Sequence, residues 1–148
     1  MQTSTLLVAD NNSFITLVAS KIARALAYKE AKKTKQSVDF LISLFSRQVK
    51  NSIKTTTHFV DRVVQRFTAE EVDILYTAIS RAVRNTKPLE NGRYHNAVSQ
   101  KFVDDSGIVI VLERQGELGA VLVTTYKQGG ENLLSDEEVM DLRKRGIL

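Results

Sequence analysis

The stretch THFVDRVVQRF, residues 57–67, combines a histidine with two arginines at four-residue spacing. On a helix, His58, Arg62 and Arg66 would lie on successive turns. An imidazole can accept or donate a proton near neutral pH, and guanidinium groups bind phosphate oxygens through paired N–H donors. The pattern therefore suits acid–base chemistry on a phosphate-bearing substrate.

A helical wheel separates this stretch into two faces. The apolar face contains Phe59, Val60, Val63, Val64 and Phe67. The opposite face contains His58, Asp61, Arg62 and Gln65, with Arg66 at the boundary. Packing in the core therefore does not explain the histidine. Two interpretations stay open, namely a solvated polar face and one half of an active site.

Helical periodicity fills the first half of the chain. Residues 10–13 offer caps for a first helix that ends in the basic run KEAKKTKQ, and Ser37 opens a second helix. A third helix is predicted over about 57–66. Thr68 and Glu71 then form a capping box for a fourth helix, which extends to about residue 85.

β-Branched and aromatic residues dominate after Pro88. Short turn-like stretches separate three such segments, which predicts an antiparallel meander. The strands are expected at 93–103, 107–114 and 119–127. Ser135 and Glu138 form a second capping box, which predicts a short carboxy-terminal helix.

The expected fold class is therefore α+β, with amino-terminal helices packed on a small antiparallel sheet and a short carboxy-terminal helix. The other sheet face is expected to be solvated or to form a shallow binding surface. Residues 1–148 are expected to form one domain. Its parts are a basic helical hairpin (1–54), a helix and sheet unit (55–127) and a tail helix (128–148).

The nine residues from His58 to Arg66 resemble a helix of small ribonucleases. They read His, two apolar residues, Asp-Arg, two apolar residues and Gln-Arg, and a capped helix and a meander ending in LVTTYK follow. Over roughly residues 55–127 this order resembles the barnase, EndoU, colicin and RelE superfamily, and within it the phage endoribonucleases that cleave early messenger RNA and related phage or toxin domains. The resemblance implies RNA cleavage by its own 2′-hydroxyl, with a cyclic phosphate product and no metal or other cofactor.

The same resemblance implies roles for individual residues. His58 would be the general base or acid, and Arg62 would hold the phosphate. Arg66 would assist Arg62, and the polar end of the last strand, which begins at Thr124, would complete the site. That strand end supplies Thr125 and Tyr126 to catalysis and Lys127 to RNA binding.

A second histidine is missing where the phage enzymes carry one, because the fourth helix contains none. His95 is the only other histidine of the chain. A strand period of two places it on one face with Lys101, from which it could approach Thr125 and Lys127. The preceding Asn-Gly turn makes a surface position equally reasonable.

Basic residues concentrate at the amino-terminal end. Residues 1–54 carry nine Lys/Arg against three Asp/Glu, whereas residues 104–148 carry five against nine. A basic excess is typical of proteins that bind nucleic acid, and it is also found on solvated helix faces. The further candidates for contacts with an RNA backbone are Lys21, Arg24, Lys29, Lys32, Lys33 and Lys35 at this end, together with Lys101.

Other functional classes find no support in the sequence. The chain has no Cys, which excludes disulfides, thiolate metal sites and a cysteine nucleophile. Nucleotide-binding and metalloprotease motifs are absent, so no nucleotide cofactor or metal is expected. Without a signal-peptide pattern or a membrane-spanning run, we expect a cytoplasmic protein, in the bacterial host if of phage origin, with no membrane partner.

Three functions are compatible with these patterns. The first is a metal-independent endoribonuclease with messenger RNA as the expected partner. The second is a catalytically inactive ribonuclease-like module that binds RNA or a host or ribosomal protein, which the missing second histidine favours. The third is a protein that blocks a host enzyme through its acidic carboxy-terminal third.

Overall fold

A computed structural model of the protein describes residues 11–57, 59–88 and 99–147. The helices are α1 (Asn11–Ala31), α2 (Val38–Ser52), α3 (Phe59–Arg66), α4 (Val72–Asn85) and α5 (Asp136–Lys144). The strands are β1 (Ile53–Thr55), β2 (Gln100–Val103), β3 (Ile108–Gln115) and β4 (Gly119–Lys127). Short 3-10 turns at Ala69–Glu71 and Glu131–Leu133 precede α4 and α5. The predicted α+β class is confirmed.

Three predicted capping residues begin helical segments. The Ser37 hydroxyl accepts a hydrogen bond at 3.2 Å from an amide in the first turn of α2. The Thr68 amide donates to Glu71 Oε1 at 2.8 Å, and the Ser135 amide donates to Glu138 Oε1 at 3.2 Å. These bonds satisfy amide groups that a helix leaves unpaired at its start.

The sheet has the order β1-β4-β3-β2 and is mixed. The predicted meander forms its antiparallel part, since β3 pairs with both β2 and β4. A fourth strand, β1, follows α2 directly and pairs parallel to β4, with Ile53 opposite Ala120. Ile53 is 2% exposed, so this short strand belongs to the core.

A β-bulge interrupts the pairing of β3 with β4. Leu112 lies opposite Leu122, but Val111 lies opposite Thr124, so Val123 is the additional residue on β4. A bulge shifts the side-chain alternation by one position. Thr124 consequently lies on the sheet face opposite to that of Leu122.

The sheet is covered on both faces. Side chains of α1, α3 and α4 pack on one face in the main core, which includes Phe14, Val18, Ile22, Phe59, Val63, Leu75, Ile79, Ile110 and Leu122. On the other face, Leu134 and Leu142 pack against Val109, Val111 and Tyr126. The expectation of a solvated or shallow second face is therefore wrong for this region. The reason is the uninterrupted apolar run of β3, which is typical of strands buried on both faces.

Arg114, which is 8% exposed, ties α4 to the β3–β4 turn. Its guanidinium donates to five main-chain carbonyl oxygens, those of Val83, Thr86, Gly116, Glu117 and Gly119. Two of these carbonyls lie at or just beyond the last turn of α4, where a helix leaves its acceptors unpaired. A single side chain thus supplies hydrogen-bond donors both to carbonyl groups at the end of α4 and to carbonyl groups of the β3–β4 turn.

Candidate active-site cleft

Helix α3 holds its two arginines by burying its opposite side. Phe59 and Val63 are fully buried, and they fix the rotation of the helix against the core. The side chains of Arg62 and Arg66 are 22% and 7% exposed, so both are largely desolvated. Val64 departs from the wheel prediction, because it is 39% exposed.

Both arginines meet Glu138, in the first turn of α5. Arg66 Nη2 donates to Glu138 Oε1 at 2.8 Å. Arg62 Nε lies 3.2 Å from the same oxygen, at ion-pair distance but without the alignment of a hydrogen bond. Glu138 is also the capping-box residue of α5, so its carboxylate is oriented by the helix start as well as by the two cations.

Thr124 completes this cluster from the sheet. Its hydroxyl lies 3.3 Å from Arg66 Nη1 and donates to Glu138 Oε2 at 3.3 Å. The bulge at Val123 is the reason that Thr124 points to the α5 side, where the carboxylate lies. Elements distant in sequence therefore bring two guanidiniums, one carboxylate and one hydroxyl together.

The same cluster closes the edge of β4 beyond the end of β1. Thr56 continues β1 by one residue, with its hydroxyl donating to the carbonyl of Val123 at 2.8 Å. Further along, Arg66 Nη1 donates to the carbonyl of Thr125 at 3.1 Å. An exposed strand edge presents unpaired main-chain groups, and these two side chains supply donors to it.

The carboxylate of Glu138 is ionised at neutral pH. Burial raises its pKa, but the Ser135 amide and the guanidiniums of Arg66 and Arg62 lower it by more. The net result is a pKa below the ordinary value for glutamate. A carboxylate in this state accepts hydrogen bonds and can accept a proton, and it cannot act as a donor.

A cleft of about 730 Å³ opens beside this cluster. Thr56, Arg62, Thr124 and Glu138 line one part of it, and the remaining wall is α5. Its size is within the range of small-ligand sites in proteins. The cleft is lined by three cationic side chains, four carboxylates and three hydroxyls, namely Arg62, Lys144 and Arg145, Asp136, Glu137, Glu138 and Asp141, and Thr56, Thr124 and Ser135. Arg66 belongs to the cluster but does not line the cleft.

The sequence-predicted site residues are only partly brought together. Arg62 and Arg66 share the cluster, as their helical spacing suggested. His58 and His95 lie outside the described residues, so their assignment stays a prediction. Thr125 is fully buried, with its hydroxyl donating to the carbonyl of Val109 at 2.9 Å. Tyr126 is 1% exposed and packs in the second core, so both side chains have packing roles away from the cleft.

The predicted RNA-binding lysines are distributed over several elements. Lys127 Nζ lies 2.7 Å from Glu71 Oε2 and 5.7 Å from the centre of the Phe67 ring. This pairing holds the end of β4 against the start of α4. Lys101 is exposed on β2, opposite Val111. The exposed Lys32, Lys33 and Lys35 occupy the connection between α1 and α2.

Glu138 is the functional candidate that sequence reasoning missed, whereas Thr124 belongs to the strand end that the resemblance matched. Glu138 was recognised only as the last residue of a capping box, which is a local signal. Arg66 and Glu138 are separated by 72 positions, and nothing in either local pattern connects them. The available signal was an acidic residue at a helix start, where carboxylates are common for electrostatic reasons alone.

Comparison with protein families, with curated proteins and with solved structures gave no match for this chain. Among the described residues, no helix is both long enough and apolar enough to cross a bilayer. Within the same ranges, no group of three acidic or histidine side chains is placed to hold a metal ion.

Proposed function

We propose that this protein is a metal-independent endoribonuclease that acts in the cleft between α3, β4 and α5. The observation that carries the proposal is the convergence of Arg62 and Arg66 on the carboxylate of Glu138. The choice of RNA as substrate comes from the resemblance at residues 58–66 and from the basic amino-terminal part. No comparison with known proteins contributes to it.

The reaction is a transesterification. The 2′-oxygen forms a bond to phosphorus while the bond from phosphorus to the 5′-oxygen breaks, giving a cyclic phosphate. A base must take the 2′-proton, an acid must protonate the leaving 5′-oxygen, and cations must stabilise the added charge of the phosphorane. The chain needs two proton-transfer groups and at least one phosphate-binding cation.

Glu138 is assigned the role of the base, and Arg62 and Arg66 are assigned the binding of the phosphate group. When a phosphate group pairs with the guanidiniums of Arg62 and Arg66, the ionised carboxylate of Glu138 becomes free to accept the 2′-proton. Planar guanidiniums match the geometry of phosphate oxygens. The hydroxyl of Thr124, 3.3 Å from both Arg66 Nη1 and Glu138 Oε2, is in position to orient either group.

His58 is assigned the role of the acid. This assignment rests on the resemblance alone, where the histidine precedes the first arginine by one helical turn. A protonated imidazole is the side chain best suited to donate a proton near neutral pH. With His58 as donor and Glu138 as acceptor, a second histidine is not required, which removes the need for His95.

Cleavage of RNA in EDTA tests the proposal directly. Purified protein is incubated with total bacterial RNA and with single-stranded oligonucleotides, and the products are analysed for 2′,3′-cyclic phosphate ends. A fully 2′-O-methylated oligonucleotide should stay intact because it lacks the nucleophile. Glu138→Gln and His58→Ala should each reduce the rate by about 100-fold or more, as expected for loss of a general acid or base.

Asp105→Asn provides the matched control, because it makes the same carboxylate-to-amide change at an exposed position in the β2–β3 turn. It should cleave at the wild-type rate. The proposal fails if wild-type protein leaves all RNA intact in EDTA. It also fails if Glu138→Gln and His58→Ala preparations cleave as fast as wild type, since the activity would then belong to a contaminant or another site.

A second candidate function is a binding module without catalysis. The observation that favours it is that the Arg66 guanidinium already donates hydrogen bonds to Thr124, Thr125 and Glu138. Its side chain is also only 7% exposed. In this interpretation the cluster is structural and joins α5 to the strand edge. Salt-sensitive binding of RNA without any product, unchanged in Glu138→Gln, would support the binding module over the nuclease.

A further inference from the structure

A groove of about 610 Å³ lies between α1 and α4 and shares no lining residue with the cleft. Lys21, Arg24 and Tyr28 follow one another at helical spacing along α1 and form one wall. Tyr76 and Arg84 contribute the other wall from α4. We call this surface the α1–α4 groove.

The groove is strongly basic. Lys21, Arg24 and Arg84 are exposed along it, whereas Asp73 is the only carboxylate among the described residues that line it. Arg84 Nε donates to Ser80 Oγ at 3.1 Å, which holds the guanidinium along the groove wall. Burial and the charge of Arg81 lower the pKa of Arg84, so a bound anion would relieve an existing repulsion.

Exposed apolar surface lies among these cations. Tyr28 is 53% exposed and Leu17 is 38% exposed. An exposed aromatic ring between cationic side chains is the arrangement that single-stranded nucleic acids use, because bases stack on the ring while phosphates contact the cations. An acidic peptide would pair with the cationic side chains of the groove, but it would offer no planar group to stack on the Tyr28 ring.

Tyr76, in the α4 wall of the groove, carries a buried hydroxyl. The residue is 6% exposed, and the hydroxyl has no hydrogen-bond partner within the described ranges. Burial and the charge of Asp73 raise the pKa of Tyr76 to about 12, so the hydroxyl remains a donor at neutral pH. A buried donor without an acceptor is costly, and an acceptor on a ligand would remove that cost.

We propose that the α1–α4 groove binds single-stranded RNA, with phosphates on Lys21, Arg24 and Arg84 and a base stacked on Tyr28. The inference names a second contact surface for the substrate class of the proposed function, but it concerns binding and does not require cleavage. It also gives the amino-terminal charge excess a specific location, which differs from the α1–α2 connection that holds Lys32, Lys33 and Lys35.

Fluorescence anisotropy with a labelled 2′-O-methylated oligouridine measures this binding without turnover. Arg24→Gln and Arg84→Gln should each weaken binding several-fold at moderate salt and should lower the slope of log affinity against log salt by about 0.7. Tyr28→Ala should weaken binding by about fivefold or more. The matched control is Arg47→Gln, which removes one exposed positive charge from α2, and it should bind nearly as wild type.

An abasic strand of the same length separates stacking from charge. Tyr28→Ala should weaken binding of the oligouridine and leave binding of the abasic strand unchanged. The proposal is overturned if the abasic strand or polyglutamate binds wild-type protein as tightly as the oligouridine does. It is equally overturned if Arg47→Gln loses as much affinity as Arg24→Gln, because the effect would then be one of net charge.

Tyr76→Phe tests whether the ligand reaches the hydroxyl in the α4 wall of the groove. The variant should fold with unchanged or higher stability and should bind the oligouridine several-fold more weakly, whereas unchanged binding contradicts contact with the hydroxyl. The two proposals fail separately. Binding in the groove without cleavage refutes the nuclease alone, and cleavage with groove variants that bind normally refutes the groove alone.

Discussion

Arg66 Nη2 lies 2.8 Å from Glu138 Oε1, and this contact joins α3 to α5 across the edge of β4. The pair is the centre of the proposed chemistry and also one of the contacts that join α5 to the rest of the molecule, beside the packing of Leu142 in the second core. Both side chains are largely buried, with 7% and 17% exposure. Because the two roles coincide, catalysis and stability must be measured on the same variants.

Glu138→Gln should lower the free energy of unfolding by about 2 kcal/mol, because two desolvated guanidiniums lose their counter-charge. Urea unfolding measures the change, and Asp105→Asn is the control. A double-mutant cycle with Arg66→Met should give a coupling energy of about 1 to 3 kcal/mol. A coupling near zero would contradict a direct energetic link between these two side chains.

Stability should fall in acid because of Glu138 and Asp104. Asp104 is 4% exposed, and although burial raises its pKa, hydrogen bonds from Ser106 and Arg81 lower it below the ordinary value. A carboxyl whose pKa is lower in the folded state stabilises the fold above its unfolded pKa. That stabilisation is lost as pH falls through the folded pKa.

The relevant pH range lies below the ordinary values of 4.5 for glutamate and 3.8 for aspartate. Chemical unfolding at closely spaced pH values should show a decline there that is smaller in Asp104→Asn and in Glu138→Gln. The asparagine retains one acceptor for Ser106 and replaces the other oxygen, to which Arg81 donates, so the variant loses the charge together with that hydrogen bond. A decline of the same size in both variants would assign the acid sensitivity to other groups.

Arg114→Lys should destabilise the protein by about 3 kcal/mol or more. A lysine ammonium has three donors at one point and cannot reach the five carbonyl oxygens that the guanidinium spans, so several buried acceptors lose their partner. Thermal unfolding checks this expectation, with the exposed Arg47→Lys as the matched substitution. Equal stability of the two variants would show that the buried guanidinium contributes little.

Thr125→Val should cost about 1 kcal/mol of stability, since the hydroxyl donates to the carbonyl of Val109 inside the sheet. The measurement is thermal unfolding together with RNA cleavage at a temperature where the variant is fully folded. A loss of cleavage in the folded variant would return Thr125 to the chemistry that the resemblance assigns to it.

Local signals were sufficient for most of the fold. Ser37, Thr68 and Ser135 are helix starts that can be recognised from three or four neighbouring residues, and each of them begins a helical segment. The segments 107–114 and 119–127 alternate or accumulate β-branched residues, and they match β3 and β4 closely. In both cases the residues that determine the helix start or the strand lie within that element, so they can be recognised in the sequence.

Long-range features were not accessible in the same way. β1 has only three residues, and its partner Ala120–Leu122 is 67 positions away, so no periodicity marks it. The bulge at Val123 has no glycine to indicate it, yet it decides the direction of Thr124. The same limit applies to the candidate site. The positions of the two arginines can be predicted from the α3 pattern, whereas the position of Glu138 depends on how α5 packs against the sheet.

The parallel pairing of β1 with β4 has a consequence for synthesis of the protein. A nascent chain presents β1 and both arginines of α3 to the ribosome exit well before Ala120–Leu122 and Glu138 have been translated. Helices α1 and α2 can pair early, because their contacts are close in sequence. Until β4 has emerged, apolar residues that it helps to bury, such as Ile53, stay exposed in the partly made chain, and exposed apolar surface promotes aggregation. A cell is therefore exposed to a completed cleft only after Arg145, its last lining residue, has been translated and has left the ribosome.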